Sequence, residues 1–224
     1  MYLTTRGLIL RVVNYKDADK ILTVLTETEG KITLNARGVR RRGSRYAAAT
    51  QLLCYSEMTL FGNRGRWTIN EAETLEQFLG LREDIGLLSL GAYIAELLET
   101  VSDEDYPNSE MLYLGLNTLY SLSRGYHTAE HIKAAFELRL MYLSGFAPII
   151  DESGIGDGGV SMGLPPAAIR AAEHILTADS KRIYSFRLEE KSAIELYDVC
   201  ERYVQMKLER KFRALDYWKM VTGK

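Results

Sequence analysis

The spacing of the hydrophobic residues changes near residue 75, and this change constrains the fold more than any other feature of the sequence. Before it, short runs rich in β-branched residues are separated by turn residues, a pattern typical of strands. Such runs occupy residues 8–13, 21–26, 31–36, 57–61 and 66–70. The last two flank Gly62-Asn63-Arg64-Gly65, a hairpin signal. Five short strands in so short a segment predict a small closed barrel of the five-stranded OB type.

After residue 75 the apolar residues recur with helical spacing. This spacing predicts helices over approximately residues 85–101, 111–124, 128–144, 165–178 and 189–215. A Gly-rich loop at 149–164 is predicted between the third helix and the fourth. The predicted fold class is therefore α+β (multi-domain), with an N-terminal five-stranded OB-type β-barrel at residues 1–78. An all-helical domain follows at residues 79–224.

Length and composition restrict the class of protein. A chain of 224 residues, 46% of them hydrophobic, can bury one good core or two modest ones. Its two cysteines, Cys54 and Cys200, exclude a disulfide framework. The N-terminus does not have the pattern of a signal peptide, and no segment has the ~18 apolar residues of a membrane span. We therefore expect a soluble cytoplasmic protein that does not enter a membrane.

Positive charge is concentrated near the N-terminus of a chain whose net charge is −2. Residues 1–80 contain 12 Lys and Arg against 8 Asp and Glu, a net charge of +4, and the remaining residues carry a net charge of −6. The densest part is Arg37-Gly38-Val39-Arg40-Arg41-Arg42-Gly43-Ser44-Arg45. One interpretation is a loop kept polar for solubility. The other is a patch that neutralises phosphates, because each cation that does so releases a condensed counterion.

The predicted barrel favours the phosphate-binding interpretation. OB barrels bind single strands by combining a positive groove with aromatic rings on which bases stack. Tyr15, Tyr46, Phe61 and Trp67 are the aromatic candidates, although each could equally belong to the barrel core. The residues predicted to bind nucleic acid are Lys31, Arg37, Arg40, Arg41, Arg42, Arg45, Arg64, Arg66 and Trp67. A second basic cluster at 207–213 is predicted to be a solvated helix face.

Sequence motifs of enzymes occur only in unsuitable contexts. Residues 127–131 match the H-x-x-E-H pattern of a zinc peptidase, but a third ligand and a substrate cleft are also needed. Residues 154–159 match G-x-G-x-x-G but follow a predicted helix, so they do not predict a dinucleotide site. No catalytic residue, metal or cofactor is predicted. A zinc-dependent hydrolase using His127, Glu130 and His131 is kept as the less favoured alternative.

The order of several short segments along the chain carries a family resemblance. They are GLILR at 7–11, DKILTVLT at 19–26, GK at 30–31, ARGVRR at 36–41 with SR at 44–45, FELRLM at 136–141 and GFAP at 145–148. In this succession the chain resembles, over nearly its whole length, the RecO family of bacterial DNA-repair and recombination mediators. No single segment is specific; the order of all of them carries the resemblance.

The resemblance implies a function without catalysis. RecO proteins bind single- and double-stranded DNA, anneal complementary strands, and act with RecR to load RecA onto strands coated by single-strand-binding protein. The acidic C-terminal tail of that coating protein docks on the helical domain of some members. By position, the resemblance places this contact near Lys133 and Arg139. It also implies a cytoplasmic, nucleoid-associated location, with RecA reached indirectly.

One departure from the family concerns metal. Many RecO proteins carry a four-cysteine zinc knuckle after the Ala-Pro pair, whereas Ser153, Gly156 and Met162 stand near the corresponding positions of this chain. These side chains cannot form a tetrahedral structural zinc site, so the chain is expected to resemble the zinc-free members. The loop at 149–164 is expected to be mobile.

An RNA-binding OB protein is the main alternative function, since stacking and phosphate contacts serve either polymer. Competition between DNA and RNA strands of one sequence would separate the two.

Overall fold

The computed structural model describes residues 1–63 and 65–224. The chain divides into two compact units. The barrel unit comprises Met1–Leu119 with Ala214–Lys224, and the helical unit comprises Tyr120–Arg213. The predicted division after residue 78 falls where the barrel strands end, whereas the barrel unit also includes helices from beyond that point. Residue 78 as a domain boundary stays a prediction.

The N-terminal part of the barrel unit is a closed five-stranded barrel. Its strands are β1 (Tyr2–Tyr15), β2 (Asp19–Thr26), β3 (Lys31–Ala36), β4 (Tyr55–Asn63) and β5 (Arg66–Glu76). They are hydrogen-bonded in the order β1-β2-β3-β5-β4, and β4 pairs with β1 to close the barrel. The β3–β5 pair is parallel and the others are antiparallel. This confirms the predicted OB-type barrel followed by helices.

The length of β1 allows the barrel to close. Its first half pairs with β4 and its second half pairs with β2, with a bulge between Ile9 and Arg11. Gly7 lies where the two pairings meet, and a Cβ there would come within 2.6 Å of the Val24 side chain and 2.9 Å of the Leu25 carbonyl oxygen. Alternate side chains of the strands then fill the interior. This core consists of Ile9, Leu22, Val24, Ile32, Leu34, Ala36, Val39, Cys54, Met58, Leu60 and Ile69.

Helices cover one side of the barrel within the same unit. A 3₁₀ helix (Leu79–Glu83) precedes α1 (Ile85–Val101), α2 (Ser109–Arg124) begins in this unit, and α6 (Arg213–Thr222) closes the chain. The Asp84 carboxylate caps α1 by accepting a hydrogen bond from the Leu87 N–H at 2.9 Å. Helix α1 packs against β1 and β2, and its Glu99 carboxylate pairs with Arg11 at 2.8 Å. These contacts explain why α1 belongs to the barrel unit.

The helical unit is built around one buried helix. Helix α3 (Ala129–Leu143) is buried over eight consecutive residues, 131–138, and packs against α4 (Pro166–Thr177) and α5 (Glu190–Leu208). The single helix predicted at 189–215 is two helices. Glu209 takes a left-handed conformation with φ 49°, which ends α5, and Phe212 is buried before α6 begins.

The Gly-rich segment predicted as a loop contains three short antiparallel strands. They are β6 (Ile149–Asp151), β7 (Gly154–Gly156) and β8 (Ser161–Met162), in the order β6-β7-β8. Gly154 has φ +134°, and a Cβ on it would collide with the Met162 carbonyl oxygen. Glycine therefore permits the close approach of β7 and β8. Among the helices of the described residues, none is long and apolar enough to span a membrane.

Candidate nucleic-acid interface

The basic loop, residues 37–45, is fixed to the barrel at its start. The Val39 side chain is buried in the barrel core. The backbone N–H of Gly38 donates to Oδ1 of Asp19 at 2.8 Å, and that of Arg40 donates to a carbonyl of the β1–β2 connection at 2.9 Å. Gly38 has φ +67°, a conformation that favours glycine. The arginines that follow therefore project from an ordered base.

Three consecutive exposed arginines follow Val39 in the basic loop: Arg40, Arg41 and Arg42. The Arg40 guanidinium donates to the Lys16 carbonyl at 3.3 Å. Burial, with the nearby charge of Arg40, lowers the pKa of Lys20, whose Nζ donates to the Thr50 carbonyl at 3.2 Å. The charge of a second cation, from β2, is thus felt near the basic loop.

A cleft of about 610 Å³, here called the barrel cleft, opens beside the basic loop. It is lined by Tyr15, Lys16, Asp19, Asn35, Arg37, Phe61, Asn63, Arg66 and Thr68. These side chains come from the end of β1 and the residue after it, the first residue of β2, the end of β3 and the residue after it, and the β4–β5 hairpin. Three are cations and one is a carboxylate, so the lining carries a charge of +2. Its volume lies within the range of about 300–1,000 Å³ found for ligand sites.

The structure brings five of the nine predicted residues to this end of the barrel. Arg37 and Arg66 line the barrel cleft, and Arg40, Arg41 and Arg42 lie on the basic loop. Lys31 lies at the start of β3, outside the cleft lining, and its Nζ donates to the Glu99 carbonyl at 2.8 Å. Arg64 lies outside the described residues. The binding role of each residue stays a prediction.

Arg45 and Trp67 occupy different surroundings. The Arg45 guanidinium stacks on the Tyr46 ring at 4.8 Å and lines a shallow depression of about 390 Å³ that also contains Glu57, Glu71 and Glu73. Trp67 is half-buried and packs against the barrel core. A Cβ on Gly62 would come within 2.7 Å of its ring. Arg45 therefore lies near carboxylates, and Trp67 packs closely against β4.

Five cleft residues were not identified from the sequence: Lys16, Asp19, Asn35, Asn63 and Thr68. Two aromatic candidates, Tyr15 and Phe61, line the cleft and are 44% and 39% exposed. Their positions in the sequence could have identified these five residues, because polar residues at the end of one strand and at the beginning of its neighbour meet at one end of a barrel. The pairing of Asn35 with Thr68 across the parallel β3–β5 pair is what brings the two polar side chains together.

The H-x-x-E-H segment has a packing role in the helical unit. The rings of His127 and His131 are stacked, with centroids 4.8 Å apart and planes at 11°. The Nε2 of His131 is 2.9 Å from the Tyr184 carbonyl oxygen, and its Nδ1 is 3.3 Å from the Tyr197 hydroxyl. Burial and the neighbouring His127 lower the pKa of His131, although its hydrogen bond to Tyr184 raises it. Both ring nitrogens face protein partners, which does not favour the hydrolase alternative.

Lys133, expected near a partner-docking surface, lies inside the helical unit, and its role in binding a partner stays a prediction. Its side chain is 4% exposed, and its Nζ is 2.9 Å from a carboxylate oxygen of Glu137 and 2.9 Å from one of Glu201. Burial alone lowers the pKa of Lys133, but the two carboxylates outweigh it and the net pKa is raised. This cation is thus already paired with two carboxylates of its own unit.

Arg139 is half-buried rather than enclosed. Its guanidinium donates to the carbonyls of Ile175 and Leu176 in the last turn of α4 and stacks on the Tyr142 ring at 5.3 Å. A cation in this position stabilises the carbonyl end of a helix dipole. Its role in binding a partner stays a prediction.

Comparison with known proteins shows which protein family the chain is related to. Residues 1–78 match the family model described as Recombination protein O N terminal, and residues 82–157 match Recombination protein O C terminal. The chain is 31% identical to a DNA repair protein RecO of Acetivibrio thermocellus, over 97% of this chain and 96% of that one. It is 30% identical to a DNA repair protein RecO of Alkaliphilus metalliredigens, over 99% of this chain and 100% of the relative. The resemblance found in the sequence is confirmed: the chain belongs to the RecO family of DNA repair proteins.

Proposed function

We propose that this protein is a recombination mediator that binds single- and double-stranded DNA and anneals complementary strands without catalysing a covalent step. With RecR, it would help to load RecA onto cytoplasmic, nucleoid DNA coated by single-strand-binding protein. One observation carries the DNA-binding part: three adjacent exposed arginines stand on a fixed loop beside a cleft whose lining has a charge of +2. Membership of the RecO family supports the rest.

The physical basis is neutralisation of phosphates. Lys and Arg side chains that pair with phosphates release condensed counterions, which favours binding whatever the base sequence. Phosphate contacts fix the position of a strand but carry no sequence information directly. Two strands whose charges are partly neutralised repel each other less, and their pairing supplies the free energy of annealing. No nucleotide hydrolysis is therefore needed.

We place the contact with the acidic tail of single-strand-binding protein on the helical unit. Arg139 is the candidate cation for this contact, because it is half-buried next to Tyr142, which is 47% exposed. A cation beside an exposed ring is suited to an acidic tail, because the cation can pair with a carboxylate of the tail. RecR is proposed as a partner on the family relationship alone.

The test is fluorescence anisotropy of a labelled single strand and of the matching duplex, titrated with protein across a salt series. Replacing Arg40, Arg41 and Arg42 together with Ala should weaken binding of all sequences to a similar degree. It should also reduce the slope of log affinity against log salt by about 0.7 for each single-strand phosphate that the variant no longer neutralises. An RNA strand of the same sequence, added as competitor, measures the preference between the polymers.

A charge-matched variant provides the control. Lys181, Arg182 and Arg187 are exposed cations of the segment before α5, and their triple replacement with Ala changes the net charge by the same amount. Only the first triple variant should reduce the salt slope. No binding by the wild-type protein at low salt would contradict the proposed function. Equal effects of the two variants would show that net charge, and not the basic loop, determines affinity.

A further inference from the structure

Two aromatic rings of the barrel cleft are exposed although the barrel core lies beside them. Tyr15 is 44% exposed and Phe61 is 39% exposed. Tyr15 is the last residue of β1 and Phe61 lies within β4, so hydrogen-bonded strands hold both. Phe61 also contacts the ring of Tyr2, with centroids 5.2 Å apart. Large apolar side chains kept in a cleft by regular structure are suited to binding a flat apolar ligand.

Groups that can bond to the edge of such a ligand line the same cleft. The Asp19 carboxylate is held by the Gly38 N–H, and the side-chain amide of Asn35 donates to the Trp67 carbonyl at 3.5 Å. Asn63 and Thr68 add an amide and a hydroxyl. These groups include hydrogen-bond donors and acceptors. A nucleobase has an aromatic face and a polar edge, and it matches both parts of this lining.

The cations of the lining complete the match. Lys16, Arg37 and Arg66 line the same cleft as the aromatic rings. The Lys16 ammonium lies 5.3 Å from the centroid of the Tyr15 ring, so a cation and a ring are adjacent. In a single strand each base is joined to a phosphate, and proteins bind such strands by combining stacking rings with cations along the backbone.

We propose that the barrel cleft receives an unstacked base of single-stranded DNA on Tyr15 and Phe61, and that this contact makes the barrel prefer single strands to duplex. The inference rests on the proposed function, because it assigns the DNA contacts to two places. The basic loop contacts phosphates, which both forms present. The cleft needs a base face, which stacking and pairing cover in a duplex.

The first test measures dissociation constants of Tyr15→Ala and Phe61→Ala for a single strand and for the matching duplex. Each replacement should weaken single-strand binding by about 5- to 150-fold, the range for one stacked base, and leave duplex binding unchanged. Tyr217→Ala is the matched control, because Tyr217 is 45% exposed in the same unit but lies outside the cleft lining. It should bind both DNA forms like the wild type.

A second test leaves the protein unchanged and so does not depend on how the variants fold. A strand with the same number of phosphates but with abasic positions should bind the wild-type protein more weakly than the normal strand. The abasic strand should bind Phe61→Ala and the wild type equally. Equal binding of the abasic and normal strands by the wild type would overturn the inference.

Failure of this inference differs from failure of the proposed function. If the ring variants lose single-strand and duplex binding equally, or lose neither, while the Arg40, Arg41 and Arg42 variant binds more weakly, only the base-binding cleft is contradicted. If the wild type binds neither DNA form, both proposals fail. If the ring variants lose single-strand binding alone, the cleft is supported.

Discussion

The ammonium of Lys133 shows how burial changes what a single charged residue does. It joins α3 to α5, because Glu137 lies one turn along its own helix and Glu201 lies on the neighbouring one. Glu137 is fully buried and Glu201 is partly buried, with side-chain exposures of 0% and 15%. Removal of one member of such a network leaves buried charge without compensation. The network therefore makes the helical unit sensitive to loss of this one cation.

We expect Lys133→Met to lower the free energy of unfolding by about 3–5 kcal/mol, because the fully buried Glu137 and the partly buried Glu201 lose the cation they share. Urea unfolding followed by circular dichroism measures this change. The control is Arg202→Ala, which removes an exposed ion pair with Asp198 on α5 and should cost about 0–1 kcal/mol. Equal stability of Lys133→Met and the wild type would show that the carboxylates are protonated or hydrated at low cost.

At the scale of single residues, the sequence identified which side chains are charged but not which are buried. Lys133 and Arg40 are both cations next to apolar residues, yet one is enclosed and the other is exposed. The Lys133–Glu137 spacing of four residues indicates a pair, but the same spacing is common on solvated helix faces. Whether such a pair is buried depends on α5, which lies more than fifty residues further along the chain. The spacing of nearby residues in the sequence does not predict the packing of α5 against α3.

Among the secondary-structure elements, the small sheet β6–β8 is stabilised by the contacts of a few identifiable residues. The Asp157 carboxylate accepts hydrogen bonds from the N–H groups of Gly159 and Val160, and it pairs with Lys207 of α5 at 2.8 Å. These contacts hold its pKa well below the usual range, the hydrogen bond from Lys207 contributing most. The turn between β7 and β8 is thus attached to a helix.

Gly154→Ala should destabilise this sheet, whereas Gly159→Ala should not. A Cβ at Gly154 would collide with the Met162 carbonyl oxygen at φ +134°, while at Gly159 it would meet only the Asp157 carboxylate at an ordinary 3.6 Å. Strain of this kind costs about 1–3 kcal/mol. Hydrogen exchange at the Ile155 amide measures local opening, which should be faster only in Gly154→Ala. Equal exchange rates in the two variants would mean that β7 does not need the close approach.

Helices and strands whose apolar residues recur with a clear period were predictable from the sequence. Elements whose bounds depend on single glycines or on residues in a left-handed conformation were not. The barrel strands follow from β-branched runs, and α3 follows from its apolar repeat. In contrast, the segment with glycines at 154, 156, 158 and 159 resembles a loop in composition. Glycine has no side chain, so the alternation of apolar and polar side chains that indicates a strand is missing there. The break after α5 depends on the left-handed backbone of Glu209, a residue type with no preference for that conformation.

At the scale of the whole molecule, the distribution of charge bears on how much of a DNA strand the proposed interface would hold. The chain carries a net charge of +4 in its first 80 residues and −6 in the remainder. On the proposed function, the net negative charge of the remainder disfavours phosphate contacts there on average, and we expect the main contacts at the basic loop and the barrel cleft. A strand held over a short length leaves most of its bases available for pairing. This arrangement suits annealing better than complete coating of a strand.

The wild-type protein should therefore accelerate pairing of two complementary strands without any nucleotide. The acceleration should fall as salt rises, because DNA binding and the acceleration of pairing both depend on phosphate contacts. Energy transfer between labelled strands measures the rate of pairing. Replacement of Arg40, Arg41 and Arg42 with Ala should remove the acceleration at salt concentrations where the variant no longer binds. The variant lacking Lys181, Arg182 and Arg187 has the same net charge and should retain it. Tight DNA binding by the wild type without faster pairing would show that the bound bases are covered, and that the protein binds strands without annealing them.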